Sequence, residues 1–449
     1  LKIQEEKMKR LLVSLFAVCL LFALSMPAAA VDVKFSGVFA VEGISDNNAT
    51  VTSDDVNRAW YAQRLVLDTT FQVAEGLSLT TRARILDKIW GDTADQDRLS
   101  SVSRYERENV EFERAYLTAK LGPGVLVIGK QPAAWGTEFN NTDAPVNRIK
   151  YTYMGLKGWA LGVALDKLTE KELTLPAGVS TPSAKSDIDS DRLNLTAVYT
   201  APTWDAGLRY FIVRDKTNDL SVATSYNALW HTLTPYFKGN FGPLYVEAEG
   251  QYKFGTLKNY DHNIAGSQED QTVDAYYLNV KARYAIKNAY VGAQYAYLSG
   301  DDATTGNRNE GGLTSGRDWK PCLILLDSDR DKYAGKLGSG PLANNYSNGS
   351  SGGSDNFVLY QVFAGIKPIP ALDIMASYAY VKMVEQGSFL SDKIGSEADI
   401  TASYKIYDNL SYMVGFGYLW AGDAFKGTAA QDLDTGNDWL LMHRLTLTF

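Results

Sequence analysis

The sequence predicts an all-β chain: a transmembrane up-and-down antiparallel β-barrel of about 18 strands, within a range of roughly 16–20. Three observations predict it. Polar and apolar residues alternate through repeated segments of roughly 8–14 residues, about the length a tilted strand needs to cross hydrocarbon. The connections between those segments alternate between short turns and long polar loops. Finally, Trp439 to Phe449 sets Leu441, Leu445, Leu447 and Phe449 on one face and Leu440, Met442, Arg444, Thr446 and Thr448 on the other. That is the period of two of a strand. A bare apolar edge invites aggregation, whereas a barrel pairs its last strand with its first.

The amino-terminal segment is read as a leader. Met8-Lys9-Arg10 supplies a basic start, Leu11 to Leu24 an apolar run, and Ser25 to Ala30 a small-residue cleavage site. Residues 1–30 are therefore expected to be an upstream extension plus signal peptide, with the start at Met8, cleavage after Ala30 and a barrel over 31–449. Cys19 lies within the apolar run. Removing Lys2, Lys7, Lys9, Arg10, Glu5 and Glu6 leaves 40 basic and 50 acidic residues, a formal charge of −10. Cys322 is the one cysteine expected to remain, which precludes an intramolecular disulfide. No later segment approaches the length of a membrane-crossing helix. The acidic balance argues against nucleic acid as a partner.

In chain order, strands are predicted to begin near residues 31, 57, 77, 109, 125, 147, 157, 192, 204, 225, 243, 272, 288, 357, 371, 396, 409 and 438. Val31 to Gly43 alternates Val33, Phe35, Phe39 and Val41 with Asp32, Lys34, Ser36 and Glu42. Residues 109–121 have a blurred phase, with Glu113 and Arg114 adjacent. Leu244 to Phe254 sets Leu244, Val246, Ala248, Tyr252 and Phe254 against Tyr245, Glu247, Glu249, Gln251 and Lys253. Segments 273–284, 397–407 and 410–420 repeat the pattern. Short turns rich in Gly, Pro, Asn and Asp fall at 74–76, 122–124, 156–158, 201–203, 239–243, 287–288, 368–370 and 408–409. Long loops are expected at 45–56, 91–108, 132–146, 166–191, 215–224, 255–271, 299–356, 383–395 and 421–437. That rhythm places short turns on the periplasmic side and long loops outside. The 299–356 loop has room for a further hairpin around Trp319 to Leu326.

A soluble β-sandwich also alternates, but it has no such rhythm and no need of aromatic girdles. Here Trp204, Tyr284, Tyr412 and Phe449 are outward near short turns, and Tyr276 and Trp420 are outward near long loops.

With the apolar face toward lipid, the polar face lines water and its charges set selectivity. The basic residues expected there are Arg58, Arg64, Arg82, Arg84, Lys88, Arg114, Lys130, Arg192, Arg209, Lys281 and Arg283. The acidic ones are Asp68, Asp205, Glu247, Glu249, Glu397 and Asp399. Arg82, Arg84 and Lys88, beside Arg58 and Arg64, form the best candidate for a constriction wall. The third long loop carries Trp135-Gly136-Thr137-Glu138 and Asn140 to Asp143, and Glu138 and Asp143 are its candidate constriction residues.

The closing strand, ending on Phe449, resembles that of bacterial outer-membrane barrels, where a terminal aromatic is read by the insertion machinery. Gly129-Lys130-Gln131 with Trp135-Gly136, and Gly395 to Ile400 leading into Tyr404, resemble the alginate-export-like porins. Arg64-Leu65-Val66-Leu67-Asp68 resembles outer-membrane porins of sulfate- and metal-reducing bacteria. The resemblance implies an outer-membrane location and passive passage of small or acidic solutes. The mixed lumen charge departs from the strongly basic bore of a polyanion exporter.

Little points to catalysis, and no cofactor is expected. The three histidines, His231, His262 and His443, lack an accompanying nucleophile motif; His231 and His443 are in outward phase. Asp187, Asp189 and Asp191, and Asp327, Asp329 and Asp331, offer carboxylates at alternate positions as calcium loops do. Lys332, however, stands where such a loop wants glycine, so solvated loops are the preferred reading. Two functions remain: a diffusion porin for ions and small hydrophilic solutes, with an anion preference, or a conduit barrel that is plugged or sheathes a cytochrome or secretion partner. Expected partners are outer-membrane lipid, the insertion machinery through Phe449, and small solutes, with monomer and homotrimer both open.

Overall fold

The computed structural model describes residues 31–51, 57–91, 110–140, 144–171, 188–219, 224–261, 268–327, 330 and 355–449. Residues 1–30, where a leader is expected, lie outside them. Eighteen long strands run in sequence: β1 Asp32–Asp46, β2 Arg58–Ala74, β3 Leu77–Ile89, β4 Val110–Leu121, β5 Gly124–Pro132, β6 Pro145–Tyr153, β7 Trp159–Thr169, β8 Ser190–Thr200, β9 Trp204–Asp215, β10 Tyr226–Phe241, β11 Leu244–Tyr260, β12 Gln271–Ile286, β13 Ala289–Leu298, then β15 Phe357–Ile369, β16 Leu372–Met383, β17 Lys393–Tyr407, β18 Leu410–Ala421 and β19 Asp438–Thr448. A two-residue strand, β14 (Arg308–Asn309), lies in the seventh long loop and pairs in parallel with β12. Each long strand pairs antiparallel with its sequence neighbours, and β1 pairs with both β2 and β19, so the sheet closes on itself. Closure leaves no wall edge unpaired.

The expected strand starts agree with these bounds to within a few residues. Two loop boundaries move: β7 extends to Thr169 and β11 to Tyr260, shortening the fourth and sixth loops. The hairpin considered around Trp319 to Leu326 does not form; that segment is turn and bend, folded into the lumen.

Alternation assigns the two faces. Leu161, Val163, Leu165, Leu193, Leu195, Leu208, Val291, Val362, Ile400, Val414, Phe416 and Leu441 are exposed on the outer wall. Exposed apolar surface on this scale suits hydrocarbon rather than water. Near the short turns an aromatic row runs Trp159–Tyr199–Trp204–Phe237–Phe241, with successive centroids 5.1, 5.3, 5.9 and 6.0 Å apart. Near the long loops Tyr276 stacks on Tyr297, and Tyr418 meets Trp420 at a tilt of 57°. These are the two girdles the sequence called for. His231 is on the outer face between Tyr210 and Phe254, and His443 between Tyr61 and Tyr412, matching their expected phase.

The buried apolar cluster lies inside the barrel, in the half nearer the long loops. Inward residues of β12 to β19, including Leu298, Phe357, Leu359, Val381, Met383, Leu419, Leu440 and Met442, surround Phe139 of the third loop and Leu313, Trp319, Ile324 and Leu325 of the seventh. Burying Ile324 and Leu325 completely contributes roughly 1.5–3 kcal/mol each. This drives the loop inward.

Candidate functional site: the lumen and its inward loops

The third loop is held by a carboxylate on the wall. Glu249, buried on β11, accepts from Thr137 N at 2.6 Å, Thr137 Oγ1 at 3.0 Å and Tyr277 Oη at 2.6 Å. The Trp135 indole N–H donates to the Thr234 carbonyl at 3.0 Å. Gly136 has φ +69°, and a Cβ there would run into the Glu249 carboxylate; only glycine fits this approach. Phe139 then meets Tyr277 at 5.0 Å and Trp319 at 4.8 Å, joining the third loop to the seventh.

The seventh loop is anchored twice. Glu397 of β17, fully buried, accepts backbone N–H groups from Leu323 (2.9 Å) and Ile324 (2.7 Å) on Oε1 and from Leu325 (2.6 Å) on Oε2. At the barrel seam, buried Arg330 donates to Asp46 of β1 (2.9 Å), the Ala49 carbonyl (2.8 Å) and Asp438 of β19 (3.4 Å). Burial, followed by the Glu397, Asp399 and Asp327 carboxylates, pushes the Cys322 thiol well above its ordinary range.

Beyond the third loop, toward the short turns, lies a cavity of about 730 Å³. Its charged lining is Lys150, Lys238, Lys281 and Arg283 against Glu138 and Glu247. Glu247 accepts from Tyr245 Oη at 2.7 Å, and Lys238 stands 3.7 Å from Asp205. Among the described residues, Lys150, Lys281 and Arg283 form no ion pair; Arg283 lies over the Tyr245 and Tyr290 rings at 5.8 and 5.7 Å.

Most of the other expected basic lumen residues are ion-paired or packed over rings. Arg82 and Asp68 form a bidentate pair at 2.8 and 2.7 Å, Arg84 pairs with Glu113, and Arg64 reaches Asp87 at 3.2 Å. Arg192 shares Asp166 with Arg148, and Arg209 sits over Trp135 and Phe211. Arg58 stands at the outer end of β2, opposite Asp46. Glu249, Glu397 and Asp399 face inward but lie beneath the loops instead of lining open space. Glu138 lines the cavity; Asp143 lies outside the described residues.

Two assignments are corrected by register. Leu86 has φ +50° and a β-bulge separates the pairs Gln63↔Lys88 and Leu65↔Ile85. The extra residue turns Asp87 inward and leaves Lys88 in the outward phase with Gln63, so it is not on the basic wall. Lys130 pairs with Ala115 and Asn147 and is exposed, on the face opposite Gly129 and Gln131. A second bulge explains the blurred phase of β4: Arg82 pairs with Arg114 and Ala83 with Phe112, leaving Glu113 as the extra residue, bonded to inward Arg84. Sequence reasoning missed Lys150, Lys238 and Arg148, although Arg148-Ile149-Lys150 shows the inward alternation.

Of the carboxylates considered for calcium, Asp189 and Asp191 both pair with Lys167, and Asp327 accepts from Arg330 N. Asp187, Asp329, Asp331, Lys332 and His262 lie outside the described residues.

No protein-family model and no curated protein sequence matches the chain. Solved structures do. Pseudomonas aeruginosa OccK8 (OprE) aligns over 93% of this chain and 98% of its own, with TM-score 0.52 and 12% identity. A BenF-like porin from Pseudomonas fluorescens Pf-5 aligns over 93% and 99%, with TM-score 0.52 and 11% identity. Pseudomonas aeruginosa OccK5 (OpdH) aligns over 93% and 98%, with TM-score 0.51 and 14% identity. At this identity the likeness is one of fold: an 18-strand porin-type barrel.

Proposed function

We propose that the chain is a bacterial outer-membrane porin, a passive channel for ions and small hydrophilic solutes with a preference for anions. The observation carrying the preference is the cavity wall of Lys150, Lys281 and Arg283, cations with no ion-pair partner among the described residues. A neutralised pair such as Arg82–Asp68 presents little net field, whereas these side chains raise the local anion concentration. Glu138, in the same cavity, supplies an opposing charge that orients a dipolar solute as it passes. The apolar belt and girdles support placement in the outer membrane, with Phe449 as the contact for insertion machinery. The motif resemblance to alginate-export-like porins supports small acidic molecules among the solutes.

The inward third and seventh loops favour a second reading, a plugged conduit that opens only with a partner. Liposome flux separates the two. Proteoliposomes should pass a small organic anion faster than a neutral sugar of equal size. Liposomes as tight as protein-free vesicles would discard the porin reading in favour of the plugged conduit.

A further inference from the structure

One group of buried side chains lies outside the lining of the cavity. Cys322 of the seventh loop and Glu397 and Asp399 of β17 place a sulfur and two carboxylate oxygens within 4.8 Å of one another. All three are more than nine-tenths buried, at 3%, 0% and 7% relative exposure. Glu397 accepts the Leu323 and Ile324 amides on Oε1 and the Leu325 amide on Oε2. Asp399 accepts from Ser377 Oγ at 3.2 Å through Oδ2, while its buried Oδ1 has no hydrogen-bond partner. That oxygen and Glu397 Oε1 border the same space above Gly417, where a Cβ would stand 2.8 and 3.3 Å from them.

Two carboxylates so close and so deeply buried require neutralisation. No Lys or Arg among the described residues pairs with either one. The orphaned Oδ1, directed at its neighbour and backed by a thiol, is where a cation belongs. We propose that Cys322 Sγ, Glu397 and Asp399 Oδ1 bind a thiophilic divalent cation of the zinc or cadmium type, which fastens the seventh loop to the barrel wall. The sulfur excludes magnesium and calcium as preferred occupants, since those take oxygen ligands. Metal–sulfur and metal–oxygen bonds of about 2.3 and 2.0–2.2 Å bring all three within reach of one ion after small side-chain rotations. Binding converts the thiol to thiolate and releases its proton to solvent, with no change in oxidation state. Asp46, Asp438 and Arg330 form the loop's metal-independent anchor at the β19–β1 seam, two strands along the wall from Glu397.

The test uses the full chain in detergent, stripped with chelator and titrated with Cd²⁺ while the thiolate-to-metal charge-transfer absorption is followed. The expected result is a saturable band at one ion per chain. It should be absent in Cys322→Ser and bind at least about tenfold more weakly in Asp399→Asn, with heat-modifiable migration confirming that both variants fold. If a variant fails to fold, the wild type still decides: Zn²⁺ should compete with Cd²⁺ and remove the charge-transfer band. No saturable band, unaltered affinity in Asp399→Asn, or a band untouched by excess Zn²⁺ would overturn the site and leave the carboxylates sharing a proton. The readout needs no ion flux, so it is independent of whether the barrel conducts.

Discussion

At the scale of single residues, buried carboxylates hold the inward loops. Glu249 serves two donors of Thr137 and the Tyr277 hydroxyl. Glu249→Leu strands those donors at about 1–3 kcal/mol each and should release the third loop, giving larger and noisier single-channel currents. Cys322 provides a chemical probe. Its raised thiol pKa means that ionisation favours the unfolded chain: the thiol's contribution is complete below about pH 8.5 and declines as pH rises toward the folded value. Below that pH a charged maleimide should label denatured protein at least about 100-fold faster than folded protein; equal rates would place the thiol in solvent. Arg209, Lys281, Arg283 and Glu247 were legible from alternation because their strands carry clean polar and apolar faces. Lys130 was not, because Val125 to Ile128 is apolar on both faces and the phase cannot be read there.

At the scale of elements, a single extra residue decides which side chains reach the lumen. The bulge at Leu86 substitutes Asp87 for Lys88 on the inner face. In lipid vesicles Asp87→Cys should react with a water-soluble thiol reagent added on the lumen side. Lys88→Cys should react only with a membrane-permeant one; the reverse pattern would reject the bulge. The seventh loop carries a larger lesson. Leu359, Val381, Met383, Leu419, Leu440 and Met442 are apolar on the inward face of the late strands, near their loop ends. A water-filled bore has no use for them, so they were a readable sign of an internal plug. What sequence could not show was the partner surface, since the plug is held by long-range contacts such as Arg330 with Asp46. Arg330→Ala leaves two buried carboxylates uncompensated, a loss of about 3–5 kcal/mol, and should detach the plug. The measurable outcome is higher conductance together with faster proteolysis of the seventh loop.

At the scale of the molecule, the barrel was legible because its constraints repeat along the chain. Period-two alternation, eight short turns against nine long loops, and an apolar closing strand all converge on one closed sheet, and the 18 wall strands follow. The distribution of free charge within it was not legible, since ion pairing depends on register across strands. Arg82 is ion-paired with Asp68 and Arg84 with Glu113, whereas Lys281, opposite Glu247 in register, and Arg283, over the Tyr245 and Tyr290 rings, form no ion pair among the described residues. The reversal potential across a planar bilayer in a KCl gradient measures the consequence directly. The wild type should show stepwise currents with chloride preferred, Lys281→Glu with Arg283→Glu should move the reversal potential toward potassium, and Arg82→Glu with Arg84→Glu should move it less. Potassium selectivity in the wild type, or a reversal potential unmoved by the Lys281 and Arg283 changes, would contradict the assignment of this cavity as the anion-preferring passage.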